Sequence, residues 1–118
     1  MIRILLDTNV AVYVFDRKLD IDSMVDSAVD DAHSLCILDA CVRELKSLGR
    51  NDVVVFLEKK GVKIVSAVSE KGKVDDLILD EASSNGLFLM SEDKELLARA
   101  RARKIRTVTL DRYNIKVV

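Results

Sequence analysis

The chain contains no proline and no tryptophan, and among its 118 residues there are only two cysteines, one histidine, three phenylalanines and two tyrosines. Cys36 falls in a predicted strand and Cys41 in a predicted helix, with only His33 nearby, so buried free thiols are expected in place of a zinc site or a disulfide. Phe15, Phe56, Phe88, Tyr13 and Tyr113 are few and mostly lie in apolar runs, which argues against an aromatic platform for stacking bases. No apolar run is long enough to span a bilayer. The first one is short and leads straight into Asp7, so no signal peptide is expected and the cytoplasm is the default location. An excess of one charge is also missing: 19 Lys and Arg stand against 20 Asp and Glu, for a net charge of -1. The missing proline and tryptophan, together with the many Lys, Arg and Glu residues, point towards a heat-adapted source.

What is present is a globular composition, 49% hydrophobic and 33% charged. Its length fits one domain, 1–118, with a core of its own. Short apolar runs alternate with amphipathic segments. Strands are expected at 2–6, 34–38, 62–65, 87–90 and 105–110, with 115–118 as a further edge strand. Helices are expected at 8–15, 22–32, 39–48, 52–60, 74–84 and from Ser91 to about Lys104, with Asp39 as an N-cap. Gly49, Gly61 and Asn85-Gly86 supply stop signals. The β-branched run Val53-Val54-Val55 counts against its helix, but Phe56, Leu57 and the charged end fit one. Strands alternating with helices over this length imply a three-layer α/β/α sandwich around a mainly parallel sheet of four to five strands.

The first strand ends on Asp7-Thr8-Asn9, and open α/β sheets bind ligands outside the carboxyl ends of their strands. A helical wheel places Glu44 beside the apolar face formed by Cys41, Leu45 and Leu48. The wheel through Val74, Leu77, Ile78 and Ala82 puts Asp75 at the edge of the apolar face and Asp76 nearly opposite it, with Leu79 pointing outwards against the pattern. In Met90-Ser91-Glu92-Asp93-Lys94 an apolar strand again runs into a hydroxyl and carboxylates. Each piece alone has a plainer reading. Asp7 and Ser91 are reasonable helix caps, Glu44 a solvated residue, and Asp75 and Asp76 complements to a helix N-terminus. Together they lie where a parallel sheet gathers its strand ends. Carboxylates crowded in that way need cations, and oxygen ligands without thiols or clustered imidazoles suit Mg²⁺ or Mn²⁺. Such a site activates water and holds a phosphate oxygen, with Asn9 and Ser91 in orienting roles.

Leu6-Asp7-Thr8-Asn9, Arg43-Glu44-Leu45, Asp75-Asp76-Leu77-Ile78 and Ser91-Glu92-Asp93-Lys94-Glu95-Leu96, in that order, resemble the four signature blocks of the PIN-domain nucleases. The resemblance covers nearly the whole chain. It implies a metal-dependent endoribonuclease with one or two Mg²⁺ or Mn²⁺ ions, in which Asp7, Glu44, Asp75 and Asp93 are the catalytic metal carboxylates and Asn9, Asp76 and Ser91 support them. Ser91 stands where the family more often has Thr, and no proline precedes the second block. The pair Asp75-Asp76 resembles the branch related to ribosomal-RNA processing more than the VapC-type toxin branch, whose members act with an antitoxin. The resemblance also implies RNA as substrate and a homodimer or higher oligomer.

Lys94, Arg99, Arg101 and Arg103, with Lys104 on the same predicted helix and Lys71 and Lys73 before the third block, are candidates to hold the RNA backbone without reading sequence. They also fit a solvated helix face with cations near its C-terminus. Two other enzyme classes fail on named positions. A receiver-type domain needs an acceptor Asp where Val65 runs into Ser66 and Ala67, and a Lys where Asp111 stands; an Asp-x-Asp phosphatase needs a carboxylate at Asn9. A PIN-like RNA-binding or assembly module without catalysis is the remaining non-enzymatic reading.

Overall fold

In the computed structural model, which describes residues 1–67, 71–111 and 114–118, the opening run forms β1 (Ile2–Leu6) at the centre of the sheet, with Ile4, Leu5 and Leu6 buried. The chain continues through α1 (Thr8–Asp16), α2 (Ile21–Ala28), β2 (His33–Leu38), α3 (Asp39–Ser47), α4 (Asn51–Lys59) and β3 (Lys63–Val65). It then returns by α5 (Val74–Asn85), β4 (Phe88–Met90), α6 (Lys94–Ala102), β5 (Thr107–Asp111) and β6 (Asn114–Val117). The strand order is β3-β2-β1-β4-β5-β6; the first five strands are parallel and β6 is antiparallel to β5. The expected parallel sheet is therefore present with five strands, and the tail adds a sixth at one edge. The chain winds outwards from β1 to β3, then crosses back to β4 and winds the other way. Strand order reverses between β1 and β4, which puts a ligand crevice at their carboxyl ends.

Helices α1, α3 and α4 pack on one another, while α5 packs with α6 in the other layer and α2 lies against β6. Among the described residues no helix is long and apolar enough to cross a membrane. Val53 and Val54 are buried where α4 meets α1 and α3, and that burial outweighs the low helix propensity of a valine run. Both cysteines are buried, and burial pushes each thiol up to about 11. Tyr113 lies outside the described residues.

Several boundaries differ from the sequence reading, each for a local reason. Helix α2 stops at Ala28, with Val29 extended, because Asp30 and Asp31 would place carboxylates at the negative end of the helix dipole. Asp39 is the first helical residue and not the cap. Leu38 takes the extended cap conformation, and the Asp39 carboxylate accepts from its neighbour's Ala40 N–H at 2.8 Å. Ser91 does not open α6. Asp93 caps it, accepting from the N–H groups of Glu95 and Leu96, and the helix ends at Ala102, two residues before Lys104 turns left-handed at φ 61°. Leu79, expected to point outwards, is buried along with Leu77, Ile78 and Ala82, so more than one side of α5 is covered.

Leu5 sits on the central strand with no exposed surface. Leu5→Ala is expected to lower the unfolding free energy by about 2–5 kcal/mol in a urea titration, the range for a fully buried leucine. A loss below about 1 kcal/mol would contradict this description of the core.

Candidate active site

The crevice at the strand reversal is built around Asp7, which ends β1 and is 5% exposed. One of its oxygens accepts the N–H of Val10 at 2.7 Å and so caps α1; the other accepts the hydroxyl of Ser91 at 2.5 Å. Ser91 follows β4 and is fully buried, and its Oγ also accepts the N–H of Asp93 at 3.0 Å. The two strand ends are further joined by the Asp7 N–H donating to the carbonyl of Met90. The polar residues at the ends of β1 and β4 thus form one continuous bonded unit.

Above this unit lies a hollow of about 50 Å³, lined by Asp7, Thr8, Asn9, Glu44, Val74, Asp75, Ile78 and Asp93. Four elements bring one carboxylate each: the end of β1, α3, the first turn of α5 and the cap of α6. Burial raises the pKa of Asp7 from 3.8 to about 6. The bonds from Ser91 and Val10 pull it down, and the charges of Asp75 and Asp93 push it up. Asp75 is raised too, by burial first and then by Asp93, with Arg99 acting in the opposite direction.

The remaining sequence candidates divide. Asn9 lines the hollow, and Ser91 supports it from below. Asp76 turns away from the hollow and pairs with Arg99 of α6, so the two adjacent aspartates do part company as the wheel suggests, although Asp75 is the more exposed residue of the two. Arg99 and Arg103, read as RNA contacts, form ion pairs with Asp76 and Asp80 and so fasten α6 to α5. Lys94 and Arg101 are exposed on the same helix. Thr8, Val74 and Ile78 line the hollow but were not singled out as site residues. The Thr8 hydroxyl is buried near the Cys41 thiol and has no hydrogen-bond partner of ordinary geometry among the described residues. Its place in the sequence between Asp7 and Asn9 was the available signal.

A donor set made only of carboxylate oxygens, with a buried hydroxyl and an amide beside it, fits a hard divalent cation in kind. The pressure that Asp75 and Asp93 exert on Asp7 is the electrostatic counterpart of that fit. In spacing the set is open: among the described residues no three His, Cys, Asp or Glu side chains stand close enough together to enclose an ion. Asp7 is buried and held by its two bonds, and Asp93 is exposed but held by its cap bonds to Glu95 and Leu96, whereas Asp75 is exposed and Glu44 half-buried.

The Asp7 shift gives stability a pH dependence of definite sign. A carboxyl whose folded pKa lies above its unfolded value stabilises the fold fully below about pH 3.8, and that contribution is lost as pH rises through about 6. The gap amounts to about 3 kcal/mol. In chelator-treated protein, the difference in unfolding free energy between wild type and Asp7→Asn should therefore shift in favour of the variant as pH rises from about 4 to 7. A pH-independent difference between the two would contradict a buried, crowded Asp7.

No protein-family model matches the chain. A curated relative, Ribonuclease VapC4 of Methanocaldococcus jannaschii, is 29% identical over 105 residues, which cover 81% of this chain and 80% of that protein. Among solved structures, the PIN domain endonuclease Utp24 matches with a TM-score of 0.85 at 19% identity, over 98% of this chain and 90% of its own. A PilT N-terminus domain protein from the archaeon Sulfolobus solfataricus P2 matches with a TM-score of 0.62 at 13% identity, over 92% of this chain and 87% of its own. The chain therefore has the fold of the PIN domain, and its four acidic blocks resemble those of PIN-domain nucleases.

Proposed function

We propose that this chain is a Mg²⁺- or Mn²⁺-dependent endoribonuclease that hydrolyses RNA phosphodiester bonds at the hollow between Asp7, Glu44, Asp75 and Asp93, in the service of RNA processing. The observation that carries the reading is that four separate elements each deliver one carboxylate to the same small hollow at the strand reversal. The likeness in sequence to a protein named as a ribonuclease supports RNA as the substrate.

The residues divide the work. Asp7, held on both oxygens by Val10 and Ser91, is the buried member of the carboxylate set, and each oxygen keeps a further lone pair for a ligand. Glu44, Asp75 and Asp93 close on the ligand from three sides. A divalent cation bound there would offset the phosphate charge and lower the pKa of a water molecule. The Asn9 amide offers a donor to a phosphate oxygen or to water, and the Thr8 hydroxyl offers a second. Val74 and Ile78 form an apolar wall that limits water on one side. Arg99 keeps Asp76 out of the hollow and moderates the charge on Asp75. A second copy of this chain as partner follows from the family resemblance.

The test is cleavage of single-stranded RNA by purified protein with Mn²⁺ or Mg²⁺ added after chelator treatment. Asp7→Asn should lose at least about 100-fold in kcat/KM, because it removes the buried carboxylate at the base of the hollow. Asp75→Asn should be more damaging than Asp76→Asn. Retained activity in Asp7→Asn would remove that residue from the mechanism, and a wild type that binds RNA without cleaving it would favour the assembly module. Expression alone separates the two biological roles: a processing enzyme leaves growth unaffected, whereas a VapC-type toxin paired with an antitoxin arrests it.

A further inference from the structure

We propose that a second, polar pocket beside the acidic hollow is the subsite for the ribonucleotide next to the cleaved bond, with Arg43 as its phosphate contact and Asp39 as the acceptor for the ribose hydroxyl. The inference rests on the ribonuclease reading above. The pocket measures about 320 Å³ and is lined by Asp39, Arg43, Ser66 and Ala67. It lies at the carboxyl ends of β2 and β3, on the same edge of the sheet as the hollow and immediately beyond β1.

Size separates the roles of the two cavities. The hollow, at about 50 Å³, has room for an ion or a phosphate oxygen and not for a nucleotide. The neighbouring pocket reaches the lower end of the range, about 300–1,000 Å³, that small-molecule ligands occupy. One helix serves both: consecutive residues of α3 supply Glu44 to the hollow and Arg43 to the pocket. A strand with its scissile phosphate at Glu44 therefore carries its next nucleotide past Arg43.

The lining chemistry matches a ribose phosphate. The guanidinium offers a forked donor to phosphate oxygens. A carboxylate repels phosphate but accepts from a hydroxyl, so Asp39 favours the sugar that carries a 2′-OH, and Ser66 can assist. Arg43 is also loosely held. Its side chain is 66% exposed, and its bond to Asp39, at 3.4 Å, is an i,i+4 contact within one helix. Arg99 and Arg103, in contrast, are bound to a neighbouring helix. Among the described residues no aromatic side chain lines the pocket, so the base itself is left unread.

The experiment is steady-state cleavage of a single-stranded RNA oligonucleotide with Mn²⁺ at several salt concentrations. Arg43→Ala should raise KM about tenfold with kcat within about twofold, and should reduce the slope of log(1/KM) against log salt by about 0.7. Arg43→Lys should recover part of the loss. Arg17→Ala, which removes one positive charge at the far end of α1, should leave KM unchanged. A single 2′-deoxy nucleotide beside the cleaved bond should raise KM for wild type and not for Asp39→Ala. An Arg43→Ala enzyme that cleaves with unchanged KM and salt slope would overturn the subsite while leaving the ribonuclease reading intact. A wild type that cleaves no RNA overturns both.

Discussion

The hydrogen bond from the Ser91 hydroxyl to the Asp7 carboxylate is the contact on which the candidate site depends. It closes the seam between β1 and β4, the two strands at which the winding of the sheet reverses. The seam fixes Asp7 in a buried position, where one oxygen caps α1 and the other meets Ser91, and Ser91 in turn receives the N–H of Asp93. One hydroxyl therefore links the end of a strand, the start of one helix and the cap of another. Asp7 is costly to ionise at such a place, which is how a protein keeps a carboxylate ready for a cationic ligand.

Charge is spent locally in this fold. The even balance of 19 basic against 20 acidic residues conceals an acidic hollow at one end of the sheet and a set of ion pairs elsewhere. Arg99 with Asp76 and Arg103 with Asp80 stitch α6 to α5, and Arg50 reaches Asp16 and Asp52 to tie α4 to the end of α1. Each pair is half-exposed and contributes little alone, about 0–1 kcal/mol. They also determine which arginine side chains are already engaged within the protein.

The strands and the order of the elements were legible because each buried strand is a short apolar run and each helix turns one face to the core. The wheel also separated Asp75 from Asp76, since the register of a single helix decides which side chain enters the hollow. It failed at Leu79, because it assumes one covered face and α5 is covered on more than one. Ser91 as a helix cap was a sound local reading that lost to a tertiary partner, Asp7, lying 84 residues away in sequence. The α6 arginines could not be assigned from sequence for the same reason: their carboxylate partners are on another helix. Cavities are invisible in sequence, so the pocket at Asp39 and Arg43 could not be foreseen, and Thr8 had only its place between Asp7 and Asn9 to mark it.

The central claim is that the carboxylates at the strand reversal form a cation site. The most direct measurement is a thermal melt of chelator-treated protein titrated with Mn²⁺ and Mg²⁺, run in parallel on Asp7→Asn. A ligand that binds only the folded state stabilises it by about 2.7 kcal/mol at a hundredfold excess over Kd, which raises Tm by several degrees in a domain of this size. The account predicts such a rise in wild type and its loss in Asp7→Asn. A melting temperature that does not move at millimolar metal, or that rises equally in both proteins, would contradict it.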